Sequence, residues 1–235
     1  MSALFQELAF APTPMGDLSL RRRRILSLDV DVLEVKLGEE FLMSSLFTVG
    51  ERALATLGLA EIDRPDLEVV VGGLGLGYTA ATALREPRVR RLDVIEALEP
   101  VIQWHKQGLV PLGGGLIGDA RCRLRLGDFF AYARGEADAG AAPVDVILLD
   151  IDHSPTALLS DAHDGFYTNE GLRQLGTRLR SDGVFAMWSD APPEPAFEAA
   201  LAGAFAATRS EVVEFPNPLQ DRTATCTIYI GRGPR

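Results

Sequence analysis

The period of the apolar positions divides the chain. From residue 67 onward, an apolar run, a glycine or acidic turn and a helical stretch follow one another repeatedly. LEVVVGG is a continuous apolar run, as expected of a parallel strand covered on both faces, and YTAATALRE after it predicts a helix. RRLDVIEAL predicts a second strand, followed by a helix from near Pro100. CRLRLGD predicts a third strand, with FFAYARGE a short helix after it, and VDVILLDID a fourth. A helix is expected over 169–179, a fifth strand at GVFAMWSD, and a helix at PEPAFEAALAGAFA, where proline suits the first turn. SEVVEF and TATCTIYIGR close the chain, joined by PNPLQDR, which leaves no room for a helix, so they pair antiparallel. The fold class is therefore α/β: a doubly wound, mostly parallel, seven-stranded Rossmann-like sheet with a C-terminal antiparallel hairpin.

Residues 1–48 follow another rhythm. Pro12, Pro14 and Gly16 mark a turn, LSLRRRRIL and VDVLEVKL predict two strands, and EEFLMSS a short third. Thr48 with Glu51 reads as a capping box opening a helix at ERALATLGL. The expected organisation is a small N-terminal β region over 1–48 and a Rossmann-like domain over 49–235.

Composition narrows the function. The chain has 235 residues, 47% hydrophobic, enough for a sizeable core, and a net charge of −10 that argues against nucleic-acid binding. Arg21 to Arg24 concentrate positive charge locally and read as a solvated edge or a charge-paired surface. The longest uncharged run, 69–84, is glycine-rich and shorter than the roughly 20 residues of a spanning helix, so no membrane segment is expected. MSALFQELAF lacks a basic region before an apolar stretch, so the expected location is the cytoplasm. EADAGAAP, before the fourth strand, reads as a low-complexity loop. Cys122 and Cys226 lack CxxC or CxxH neighbours and read as small core residues.

Ligands of parallel sheets bind beyond the carboxyl ends of the strands. After the first parallel strand comes Gly73-Leu74-Gly75-Leu76-Gly77, a turn that lets backbone approach a ligand closely. Gly75-x-Gly77-x-x-Ala80 also fits a dinucleotide fingerprint, while the lack of a following Lys-Ser or Lys-Thr excludes a Walker loop. Glu96, ending the second strand, suits ribose hydroxyls in either case. Asp128, ending the third, suits an adenine amino group with Phe129 beside it. A nicotinamide enzyme has no standard need for that acid. Together with the terminal hairpin, the set favours an adenosyl sulfonium cofactor.

These residues resemble the class I S-adenosylmethionine-dependent transferases, and among them the spermidine synthase-like family. The resemblance runs through VVVGGLGLG, DVIEALEP, LRLGDFF, VDVILLDID, GFYTNEGL and GVFAMWSD. It implies a homodimer built with the N-terminal β region, and S-adenosylmethionine or its decarboxylated form as donor. Departures are visible. Polyamine synthases carry an acid in the glycine loop, placed at Leu76 here, and a second acid after the fourth strand, which falls on His153. Their Tyr-His pair falls on Met43 and Ser44. Leucine at 76 neither attracts an ammonium nor repels a carboxylate, so the reading tilts toward intact S-adenosylmethionine and methyl transfer to a small acceptor. Aminopropyl transfer to an amine, and a non-catalytic S-adenosylmethionine-binding dimer, are the alternatives. Asp150 is the candidate base, with Asp152 and His153 as alternates. The loop carrying Asp161, His163, Asp164, Phe166 and Tyr167 reads as a lid. Asp164, Tyr167 and Trp188 are the candidate acceptor-binding residues. The irregular spacing of these acids and histidines argues against a metal.

Overall fold

The computed structural model describes residues 4–137 and 142–235. Residues 1–3 of the leading segment and 138–141 of the EADAGAAP loop lie outside them. An antiparallel four-stranded sheet comes first: β1 (Phe5–Thr13), β2 (Gly16–Ile25), β3 (Val30–Leu37) and β4 (Glu40–Ser44), in that order. β1 is an addition to the expected strands, because Pro12 and Pro14 speak against one there. Pro12 is tolerated because β1 is an edge strand with one neighbour. Arg21 to Arg24 lie on β2, inside the sheet rather than at its edge. Arg23 pairs with Glu34, and Arg24 with Asp29 and Asp31.

The second sheet comprises β5 (Leu67–Gly72), β6 (Val89–Glu96), β7 (Cys122–Leu126), β8 (Val144–Leu149), β9 (Leu179–Ser189), β10 (Phe205–Asn217) and β11 (Arg222–Pro234). Its order is β10-β11-β9-β8-β5-β6-β7. β5 to β9 run parallel, whereas β11 pairs antiparallel with both β9 and β10. The chain winds outward from β5 to β7, then returns to β8 on the other side of β5. That reversal opens a crevice at the carboxyl ends of β5 and β8.

The helices are α1 (Val49–Ala60), α2 (Tyr78–Leu84), α3 (Glu99–Lys106), α4 (Gly113–Gly118), α5 (Phe129–Ala133), α6 (Asn169–Gly176) and α7 (Pro195–Ala204). α4 has no counterpart in the sequence pattern, since GGGLIG is a poor helix former. A short 3-10 helix, Asp161–Tyr167, occupies the segment read as a lid. No helix among the described residues is long and apolar enough to cross a membrane.

Strand alternation builds two cores. Val146 and Leu148 of β8 face a cluster that also takes in Leu54 of α1 and Leu18, Leu20 and Val35 of the small sheet. Ile147 and Leu149 face an aromatic cluster with Phe129, Phe166, Phe185, Phe205 and Tyr229. The small sheet thus shares one apolar core with α1 and is held against the crevice. Cys122 and Cys226 are free thiols, Cys226 fully buried.

Candidate active site

The crevice opens into a cavity of about 700 Å³, within the roughly 300–1,000 Å³ of small-molecule sites. Of the residues singled out from sequence, Gly73, Gly75, Glu96, Asp128, Phe129, Asp150, His153 and Trp188 line it.

The glycine turn forms because β5 ends against β8 and the chain must reverse immediately. Gly73 has φ +90°, and a β-carbon there would collide with the Asp150 carbonyl oxygen. Gly75 has φ +47° and lies against the Met43 sulfur, leaving no room for a side chain unless Met43 moves. His105 of α3 braces the turn from beneath. Its ring is buried, and Nε2 donates to the Gly75 carbonyl at 2.9 Å, since a carbonyl can only accept. Burial lowers its pKa, consistent with a neutral ring. Sequence pattern carries no signal for His105.

Glu96 ends β6 with its carboxylate tucked under the turn. It accepts from the backbone N–H of Leu74 at 2.9 Å and of Leu98 at 2.8 Å. Burial raises its pKa while these amides oppose the rise. Asp128 is the N-cap of α5, accepting from the Phe130 N–H at 2.7 Å. It remains exposed on the cavity side.

Opposite the turn stand two carboxyl groups. Asp150, at the end of β8, accepts from the Thr79 hydroxyl at 2.7 Å. Burial pushes its pKa up to about 6. Glu51 of α1 is buried beside it. Burial and the neighbouring Asp150 charge push its pKa up to about 8. Thr48 does open α1, but no capping box forms: its side chain makes no cap hydrogen bond, and instead accepts from Arg52 Nε. Glu51 turns into the cavity instead of capping, so the capping signal concealed a site residue.

Several expectations require correction. Leu76 does not line the cavity. Its side chain is 1% exposed and packs in the core; the turn residues that line the cavity are Gly73, Leu74 and Gly75. Gly77 is the N-cap of α2, facing Leu116 and His105 rather than the cavity. Asp152 points away from the cavity into a buried network. It accepts from the Leu159 N–H at 2.7 Å, the His163 ring at 3.0 Å and the Tyr167 hydroxyl at 2.7 Å. Tyr167 is therefore a buried anchor rather than a lid, and Asp164 is exposed off the cavity. His163 does reach the cavity, stacked on Phe130 at 3.8 Å. His153 meets Glu40 of β4 at 3.1 Å on the rim.

The chain matches no protein-family model. It is 29% identical over 134 residues to a polyamine aminopropyltransferase of Prochlorococcus marinus (strain MIT 9312), covering 57% of this chain and 44% of that protein. It is 37% identical over 126 residues to polyamine aminopropyltransferase 2 of Streptomyces coelicolor, covering 52% of this chain and 21% of that protein. These matches span less than half the length of either relative. A crystal structure of a spermidine synthase in complex with the transition-state analogue AdoDATO superposes with a TM-score of 0.74 at 17% identity, covering 97% of this chain and 73% of that one. In fold, and over about half its sequence, the chain is similar to the spermidine synthase-like branch of the class I S-adenosylmethionine-dependent transferases.

Proposed function

We propose that this protein is an enzyme that transfers an aminopropyl group from decarboxylated S-adenosylmethionine to a small amine. The observation that carries this reading is the Glu51–Asp150 pair facing the glycine turn inside the cavity. Two apposed carboxyls favour a cation and disfavour a further carboxylate. The intact donor bears a carboxylate on its tail; the decarboxylated donor bears only an ammonium. The case for methyl transfer rests on Leu76, which faces the core. The names of the relatives point the same way as the acid pair.

The residues fit such a donor. Gly73 and Gly75 of the turn line the cavity, and at both the close approach of Asp150 and Met43 admits no side chain. Glu96 would hold ribose and Asp128 the adenine amino group. The donor supplies a carbon bonded to a sulfonium leaving group. Asp150 accepts the proton the attacking amine loses as nitrogen bonds to that carbon and the carbon–sulfur electron pair returns to sulfur. Burial raises both acids, and the Asp150 charge raises Glu51 further, so the two do not both ionise readily near neutral pH. The pair thus favours a single negative charge near neutral pH. The exposed Phe5 and Phe10 of β1 support the further proposal that the small sheet joins a homodimer.

The test is product analysis by mass spectrometry with each donor and a set of amines. Methylthioadenosine with an aminopropylated amine is expected from the decarboxylated donor. S-adenosylhomocysteine with a methylated product from the intact donor overturns the proposal. Tight donor binding without turnover supports the non-catalytic alternative.

A further inference from the structure

The cavity has two unlike ends. One is the polar end at Asp128 and Glu96. The other is walled by Trp188 at the end of β9 and by side chains from outside the parallel strands: Met15, Phe41 and Met43 of the small sheet region, Phe47 before α1, and Phe215 of the hairpin. These meet across elements. The Phe47 and Phe215 rings lie 6.2 Å apart, and Met43 rests on Gly75. Gly50, next to Glu51, sits against the Trp188 indole and Cys226. The Glu51–Asp150 pair therefore lies at the inner limit of an apolar chamber.

We infer that the acceptor is a monoamine with an apolar body, an alkyl- or arylalkylamine, rather than a diamine. This rests on the amine-transfer reading above and specifies its substrate. A linear diamine carries a second ammonium that must leave water, and the neutral polar side chains of the lining, Ser44, Tyr78 and Asn217, bring no countercharge; Ser44 Oγ already accepts from the Leu46 N–H and Asn217 Oδ1 from the Leu219 N–H. Asp190, on the rim, is exposed, and there its attraction is screened by solvent. Glu40, outside the cavity lining, is engaged by His153. The half-buried Met43, Phe47, Trp188 and Phe215 would instead desolvate the second charge without replacing its hydration, while Met15 and Phe41 are exposed at the mouth. An apolar body gains from the same walls, at about 0.8 kcal/mol for each buried methylene, which is about fourfold in affinity.

The experiment is calorimetric titration of the protein, saturated with methylthioadenosine, with n-butylamine, n-hexylamine, n-octylamine and 1,4-diaminobutane. Affinity is expected to rise about fourfold per methylene along the alkylamines until the chamber is filled, with n-octylamine at least tenfold tighter than the diamine. Phe47→Ser and Phe215→Ser, both at half-buried positions, are expected to flatten that rise while methylthioadenosine affinity stays unchanged. A flat series, or a diamine that binds more tightly than n-octylamine, overturns the inference. If either variant fails to fold, the wild-type series decides alone. The readout is independent of the reaction. A rising alkylamine series in a protein that transfers methyl groups would refute the proposed reaction and support the chamber. Aminopropyl transfer with a preferred diamine would do the opposite.

Discussion

The two ends of the cavity are built by different means. The polar end is made from consecutive strand-to-helix junctions of the parallel sheet: the glycine turn after β5, Glu96 ending β6 and Asp128 opening α5. Glu96 and Asp128 are each held there by backbone amides of the junctions themselves. The acceptor end is gathered from β4, the segment before α1, the end of β9 and the tip of the hairpin, two groups of positions more than a hundred residues apart in sequence. Its position depends on the small sheet sharing a core with α1. The polar end follows from the fold, whereas the apolar end depends on what packs over it.

The largest expected effect separates the core from the site. Leu76→Asp buries a carboxylate in a packed cluster, so it should cost several kcal/mol or prevent folding, with no change of donor preference in any protein that survives. Denaturant titration checks the cost. A folded Leu76→Asp protein with altered preference would return Leu76 to the site.

The next effect concerns the acids at the meeting point of the two ends. Burial raises Glu51 from 4.5 to about 8 and Asp150 from 3.8 to about 6. The unfolded chain gives up these protons first. Their contribution to stability is therefore greatest below about pH 4, and is lost as pH rises through about 8, on the order of a few kcal/mol in all. Glu51→Gln should flatten the upper part of that fall. An unchanged pH profile of unfolding would show that Glu51 is not held protonated.

At the polar end, Glu96→Ala and Asp128→Ala should each weaken methylthioadenosine binding about 10- to 100-fold by calorimetry. Asp128→Ala should also cost about 1 kcal/mol of stability through the lost cap. Wild-type affinity in both would remove the donor from this end. The smallest expected effect on binding belongs to Tyr167→Phe. It should lower stability by about 1.5–3 kcal/mol, because a buried carboxylate loses a donor, yet leave donor affinity within a few-fold. A large loss of affinity there would restore Tyr167 to the binding surface.

Legibility in the sequence divides along the same line. The order of parallel strands, the terminal hairpin, the glycine turn, Glu96, Asp128 and Asp150 are legible, because strand-end positions are set by a two-residue period and by the turn residues after each strand. Leu76 misleads because three alternating glycines do not reveal which intervening side chain turns inward; the φ values of Gly73, Gly75 and Gly77 decide that. Glu51 is hidden by a plausible capping pattern, and His105 by lying on a helix with no motif. Asp152 and Tyr167 are drawn into the site by proximity in sequence to Asp150, although successive residues past a strand end point in different directions. Of the chamber residues, Trp188 is legible as a strand-end position, whereas Phe47 and Phe215 have no signal, since long-range packing of apolar side chains leaves no spacing to read.

The central claim is that Glu51 and Asp150 make the junction selective for a cation. The most direct measurement is the ratio of dissociation constants for decarboxylated and intact S-adenosylmethionine, in the wild type and in Glu51→Gln, at about pH 8.5, above the pKa of both acids. The decarboxylated donor should bind at least tenfold more tightly to the wild type, and the ratio should shrink in Glu51→Gln. Tighter binding of the intact donor to the wild type, unchanged in the variant, would contradict it.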